Sequence, residues 1–227
     1  LELLLYSLFF AIICLDKKHA FQFALSQPIL TSTFIGLLLD AVVPAMYFGL
    51  LVQLLWLGNL PFGASKTPEG NISSIIGTWL YVEYHAVYAA NGQFIILFLF
   101  IYIVIISYLA SKTETYLRHV NVRLFDYAYE SMQEDTNPRI GKVLSAALGL
   151  QLLANWITIV STLLTGRLIL NHLLNYISTD LSEIWQFVDV AIWAAGIGLV
   201  ISVYKDIKLK KIIVGIALIT LLTIEVI

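Results

Sequence analysis

The chain has 227 residues, 59% of them hydrophobic and 12% charged, with a mean hydropathy of +0.87. Soluble domains carry roughly 45 to 50% apolar and about 25% charged residues, so this composition excludes a water-soluble globule. The net charge of −2 leaves no footprint for nucleic acid, and the single cysteine, Cys14, excludes an internal disulfide and a thiolate zinc cluster.

About 20 apolar residues cross a bilayer as a helix, whereas barrel strands need only about ten, and the apolar runs here are far longer than ten. Every peptide group in hydrocarbon must also be paired internally. The expected fold is therefore all-α, a polytopic helical integral membrane protein forming a single membrane domain over residues 1–227.

Leu3 to Leu15 reads as an uncleaved first span, because its positive charges, Lys17 and Lys18, follow the apolar run instead of preceding it as in a secretory signal. Ala20 to Leu39 is uncharged but holds Gln22, Ser26, Gln27 and Pro28, and Ala41 to Ser65 contains Pro44 and Pro61. Proline removes a donor and clashes with the preceding turn, so both are expected to be broken helices. Leu57 to Asn71, LGNLPFGASKTPEGN, is dense in glycine and proline and predicts a turn or re-entrant hairpin tip.

Apolar character resumes from Ile72 to Val82, and Phe94 to Ala110 is the cleanest uncharged span, preceded by the turn signal Asn91-Gly92. Between Thr113 and Gln133, Leu117, Val120, Leu124 and Ala128 recur at helical spacing. This predicts an amphipathic helix at the membrane surface, part of a cytoplasmic amphipathic and polar loop over residues 111–141 that ends in the linker Gln133 to Arg139. Val143 to Gly166 is a further span, and Trp185 to Tyr204 and Ile212 to Ile227 are the last two hydrophobic elements. Lysine and arginine gather at Lys17/Lys18, at Lys112 to Lys142 and at Lys205 to Lys211, which the positive-inside rule places in the cytoplasm. Arg167 to Glu183 then faces out, and an even number of crossings separates Lys18 from Lys112.

Few residues carry chemistry. Gly58 and Gly63 are spaced as in a phosphate-binding loop, but Ala64 stands where the lysine must be, so no nucleotide site is expected. His19, His85, His119 and His172 lack the i, i+4 pairing that would place two imidazoles on one helix face, so no metal is expected, and loop or interface histidines are the plainer reading. Gln53 lies inside an apolar span, where an amide must find a partner. A helix–helix hydrogen bond and a polar ligand contact are equally open readings. Glu69 is either a solvated loop carboxylate or an acceptor for substrate hydroxyls. Asp40 and Asp189 border or interrupt apolar runs, with a helix end the plainer reading for Asp40. Ala191, Ala194, Ala195 and Gly198 are small residues suited to helix packing.

The stretch QPILTSTFIGLLLDAVVPAMYFGLLVQLLWLGNLPFGASKTPEGNISSIIGT resembles the IIC membrane subunit of mannose/sorbose-type sugar phosphotransferase systems. Pro28, Gly36, Gln53, Leu57, Gly58, Pro61, Gly63, Ala64, Pro68 and Glu69 occupy matching places without a gap, while Gln27 replaces an Arg and Glu69 an Asp. The resemblance implies a permease that pairs with a IID membrane subunit in a hetero-oligomer of the bacterial inner membrane. The pair would hold a hexose between broken helices. The phosphoryl group would arrive from IIA and IIB phosphocarrier subunits, so this chain would need no cofactor and would not be an enzyme alone. Within that reading Gln53 and Glu69 are expected to bind sugar hydroxyls, Ser65, Asn71 and Asn59 to add contacts, and Pro61, Gly63 and Pro68 to shape the turn. A transporter of the same fold that does not use phosphotransfer, or a membrane scaffold or receptor, are the competing expectations.

Overall fold

The structure is a computed structural model that describes residues 2–17, 20, 22–56, 69–88, 91–134, 140–176, 188–203, 211 and 215. Most of the expected hairpin tip, including Asn59, Pro61, Gly63, Ser65 and Pro68, lies outside the described residues. Nearly all of the last hydrophobic element does too. The described residues form helices only: α1 (Glu2–Leu15), α2 (Pro28–Leu38), α3 (Val42–Trp56), α4 (Gly70–His85), α5 (Gly92–Glu134), α6 (Ile140–Leu174) and α7 (Val188–Val203). The all-α expectation holds, and α5 and α6 are each long and apolar enough to cross a membrane.

The break between α1 and α2 is real. Asp16 is buried there, and its carboxylate accepts hydrogen bonds from the Phe23 N–H at 2.7 Å and the Ser26 N–H at 3.4 Å. These bonds satisfy backbone groups of a turn in which Gln22 and Ala24 have positive φ. Pro28 then opens α2 at a position where its missing N–H costs nothing.

At 11 and 15 residues, α2 and α3 are about 16 and 22 Å long, short of the roughly 30 Å hydrocarbon thickness. They pack against each other as an antiparallel hairpin through the Leu39–Asp40 corner, where Asp40 adopts φ 53, a conformation that aspartate tolerates better than most residues. The hairpin is tight because of glycine. A Cβ on Gly49 would lie 2.4 Å from Ser32 Cβ, and one on Gly36 2.7 Å from Val42 Cα.

Helix α4 is central, with every residue from Gly70 to Val82 buried. Its small hydroxyls pair with α2, Ser32 Oγ with Thr78 Oγ1 at 2.7 Å and Thr31 Oγ1 with Ser74 Oγ at 3.3 Å. Around it Phe10, Phe48, Ile76, Leu80, Leu99, Ile103 and Leu163 make a common core. Helix α1 packs chiefly on α6, where the Trp156 indole donates to Ser7 Oγ at 3.0 Å. Helix α7 leans on α3, with Gly196 against Leu54, while Gly198 meets open space.

Two helix boundaries differ from those expected. The stretch expected as a separate amphipathic helix and polar loop over 111–141 is, as far as residue 134, the second half of α5, which runs 43 residues without interruption. No glycine or proline interrupts residues 93–134, so nothing stops the helix at the end of the apolar run. The stripe also faces protein: Leu117 and Ala128 are buried, and Leu124 and Ala128 look across an apolar groove towards Val143 and Ala147 of α6. Likewise Arg167 to Leu174, expected in an outer loop, extends α6.

Candidate functional site

Glu69 is the N-cap residue of α4, and its backbone N–H donates to the Ser107 carbonyl of α5 at 3.2 Å. That bond fixes the carboxylate between α1 and α5. Lys17, just past the end of α1, places Nζ 3.0 Å from Glu69 Oε2, the two side chains being 22% and 9% exposed. Each charge sits where a helix dipole favours it, the carboxylate at the N-terminus of α4 and the ammonium beyond the C-terminus of α1.

Facing this pair, α5 and α6 contribute a second polar group. Gln151 Nε2 donates to Glu114 Oε2 and to Asn155 Oδ1, both at 3.1 Å, and Gln151 and Asn155 are buried. Glu114 is also 3.7 Å from Arg118, one turn further on. Together with Asn71, Thr113, Thr158 and Cys14 these side chains line one cavity between α1, α4, α5 and α6. Its volume is about 20 Å³, room for a single water and far less than a sugar needs. The arrangement offers two carboxylates, three amides, two hydroxyls and one ammonium, a set that can both donate to and accept from hydroxyl groups. Among the described residues no cluster of His, Cys, Asp and Glu could hold a metal ion.

Of the sequence-predicted residues, Glu69 and Asn71 meet in this cavity. Gln53 is not among its lining residues, and its Oε1 accepts instead from the Ile29 N–H in the first turn of α2, at 3.4 Å. Asn59, Ser65, Pro61, Gly63 and Pro68 fall outside the described residues, as does the side chain of Asp189. The sequence reading did not single out Lys17, Glu114, Gln151 and Asn155, which also line this cavity. Gln151 and Asn155 carried the same signal as Gln53, amides in an uncharged span, and their i, i+4 spacing puts both on one helix face.

A buried polar cavity inside an apolar helical bundle is the architecture of a membrane transport protein. The family model described as the sorbose-specific IIC component of the phosphotransferase system matches residues 1–227, and the chain belongs to that family. It is thus a IIC permease component, a sugar-transport subunit of the membrane. No curated protein matches it. Among solved structures, one described only as the structure of a membrane protein is similar in fold. Its TM-score is 0.71 at 17% identity, covering 99% of this chain and 94% of that one.

Proposed function

We propose that the chain binds a hexose and carries it across the bacterial inner membrane for phosphorylation by partner subunits, as the IIC member of a complex with a IID membrane subunit and IIA/IIB phosphocarriers. The observation that carries this reading is the convergence of Lys17, Glu69, Asn71, Glu114, Gln151 and Asn155 in one buried cavity of a IIC-family chain. Polar groups are expensive inside a bilayer and persist where they serve a ligand or an ion.

The cavity lies at the end of the bundle that carries Lys17, Lys112 and Arg118. By the positive-inside rule that end faces the cytoplasm, where a phosphoryl donor acts. Glu69, Asn71, Glu114, Gln151 and Asn155 are the hydroxyl partners in this reading, and Lys17 neutralises the carboxylate nearest it. Gln53 acts by holding the first turn of α2, through the bond its Oε1 accepts from the Ile29 N–H.

The test is uptake of radiolabelled L-sorbose and D-mannose into membrane vesicles supplied with phosphoenolpyruvate and the soluble carriers. Sugar should accumulate phosphorylated, and Glu69→Gln and Asn155→Ala should each reduce the rate at least roughly tenfold, as for a lost charge-assisted or buried hydrogen bond. Entry of unphosphorylated sugar at the wild-type rate would remove the coupling. Unimpaired uptake in both variants would remove the site.

A further inference from the structure

At the opposite end of α4, residues of α1, α4 and α6, with Leu39 of the α2–α3 corner, line a second and more open cavity: Glu2, Tyr6, Leu39, Trp79, Glu83 and Arg167. Its volume is about 630 Å³, within the range of small-molecule pockets, against about 20 Å³ at the Lys17 end. We propose that this vestibule is a second carbohydrate subsite, one that captures the unphosphorylated sugar before it reaches the Lys17–Glu69 cavity. The proposal rests on the transport reading above and extends it to the other face of the membrane.

Its chemistry suits a neutral polyol. Trp79 and Tyr6 stand with ring centroids 6.0 Å apart and tilted by 47°, an apolar floor and wall for the C–H face of a sugar ring. On the rim, Arg167 directs Nε and Nη2 to a single oxygen of Glu83, Oε2, at 2.9 Å each. Oε1 of Glu83 therefore has no protein partner among the described residues and can accept a sugar hydroxyl. Behind it, Tyr84 Oη donates to Asn171 Oδ1 at 2.8 Å and lies 3.3 Å from the Arg167 carbonyl, which ties this part of α6 to α4.

The charge balance selects the ligand. Two carboxylates, Glu2 and Glu83, line the space against one guanidinium already engaged by Glu83, so a phosphate is repelled and an uncharged sugar is not. That separates an incoming hexose from a phospholipid headgroup and from a sugar phosphate. The two cavities are joined through α4. From Glu69 to Glu83 is about 21 Å along its axis, and the buried Phe10 meets Trp79 edge-on at 6.3 Å between them. Trp79 is thus the floor of one cavity and part of the barrier to the other.

Two measurements on the complete membrane complex in vesicles test this. For phosphoenolpyruvate-driven uptake of radiolabelled L-sorbose and D-mannose, Glu83→Gln and Tyr6→Leu should raise the half-saturation concentration roughly three- to tenfold with the maximal rate retained, the effect of one lost contact at a capture step. In a Glu69→Gln background, weak equilibrium binding of the same sugars should persist and disappear on adding Glu83→Gln. Wild-type half-saturation in both vestibule variants, with uptake abolished by Glu69→Gln, overturns the subsite and leaves the transport reading standing. Uptake untouched by Glu69→Gln instead overturns the Lys17-end site, while the vestibule variants still decide this proposal. A change in co-purified phospholipid with unchanged half-saturation makes the vestibule a lipid site and also overturns it.

Discussion

Removing one member of the Lys17–Glu69 pair and then both separates what the pair does for stability from what it does for sugar. Breaking a fully buried pair costs about 3 to 5 kcal/mol because a charge is left desolvated. The value here is smaller and unequal on the two sides. Lys17→Met removes the ammonium from a carboxylate whose side chain is 9% exposed, so a loss of about 2 kcal/mol is expected. Glu69→Gln strands an ammonium that is 22% exposed and can turn towards water, and about 1 kcal/mol is expected. The double variant leaves no charge and should return to within about 0.5 kcal/mol of wild type. For a chain of this length the Lys17→Met loss is a fall of roughly 4 to 8 °C in Tm. Apparent midpoints of the detergent-solubilised protein, heated at one fixed scan rate, give the comparison. The double variant should be restored in stability and still fail to take up sugar. Additive losses in the double variant, or single variants indistinguishable from wild type, would refute the assignment of Lys17 and Glu69 as a buried, coupled pair.

Gly49→Ala drives a methyl into Ser32 and should lower stability by about 1 to 3 kcal/mol, with a large part recovered in Gly49→Ala/Ser32→Gly; a thermal melt that shows no recovery contradicts the close α2–α3 contact. Asp16→Ala frees the Phe23 and Ser26 N–H groups of the α1–α2 turn and should cost about 1 to 3 kcal/mol, read in the same melts and as faster proteolysis between α1 and α2. Gln53→Met gives up one long hydrogen bond, worth about 0.6 kcal/mol between membrane helices, and should keep most sugar uptake; complete loss of uptake with an unchanged melt would place Gln53 on the sugar. Gln151→Leu detaches Glu114 and Asn155 from each other and should abolish uptake while α5 and α6 stay joined through Tyr102 and Thr162, as a retained melting transition would report.

Helix type and membrane class were legible from composition, because a chain this apolar has no other way to pair its backbone in lipid. The broken region was legible too, from Pro28, Pro44 and the polar residues before them. Helix ends were not. In α5 and α6 the change from apolar to polar residues marks where the bilayer stops, and the backbone has no reason to stop there. Helix α5 runs on to Glu134, beside a clustered polar stretch, and α6 passes through Gly149 and Gly166 to end at Leu174. The stripe Leu117, Val120, Leu124, Ala128 showed the correct periodicity, but one helix's periodicity does not reveal whether a membrane surface or another helix covers its apolar face.

The site was half legible for a related reason. Glu69 stood out as a carboxylate in a stretch dense in glycine and proline, and the family resemblance added Asn71. Lys17 and Glu114 had sufficient local explanations as a topology determinant and as the polar face of a helix. Nothing in their neighbourhoods says that α1 and α5 bring them to the same cavity, 52 residues from Lys17 to Glu69 in the ion pair and 37 from Glu114 to Gln151 in the hydrogen bond. Gln151 and Asn155 are different, since their signal was present in the chain itself. An amide in a bilayer span must find a partner, and two amides one turn apart can each be that partner. The Gln151–Asn155 hydrogen bond forms as that rule requires, and its second bond to Glu114 carries the pair from self-sufficiency into the site. Mutual satisfaction and a place in the cavity are therefore not alternatives for such residues: the bond that makes them tolerable in lipid also holds them on the cavity wall.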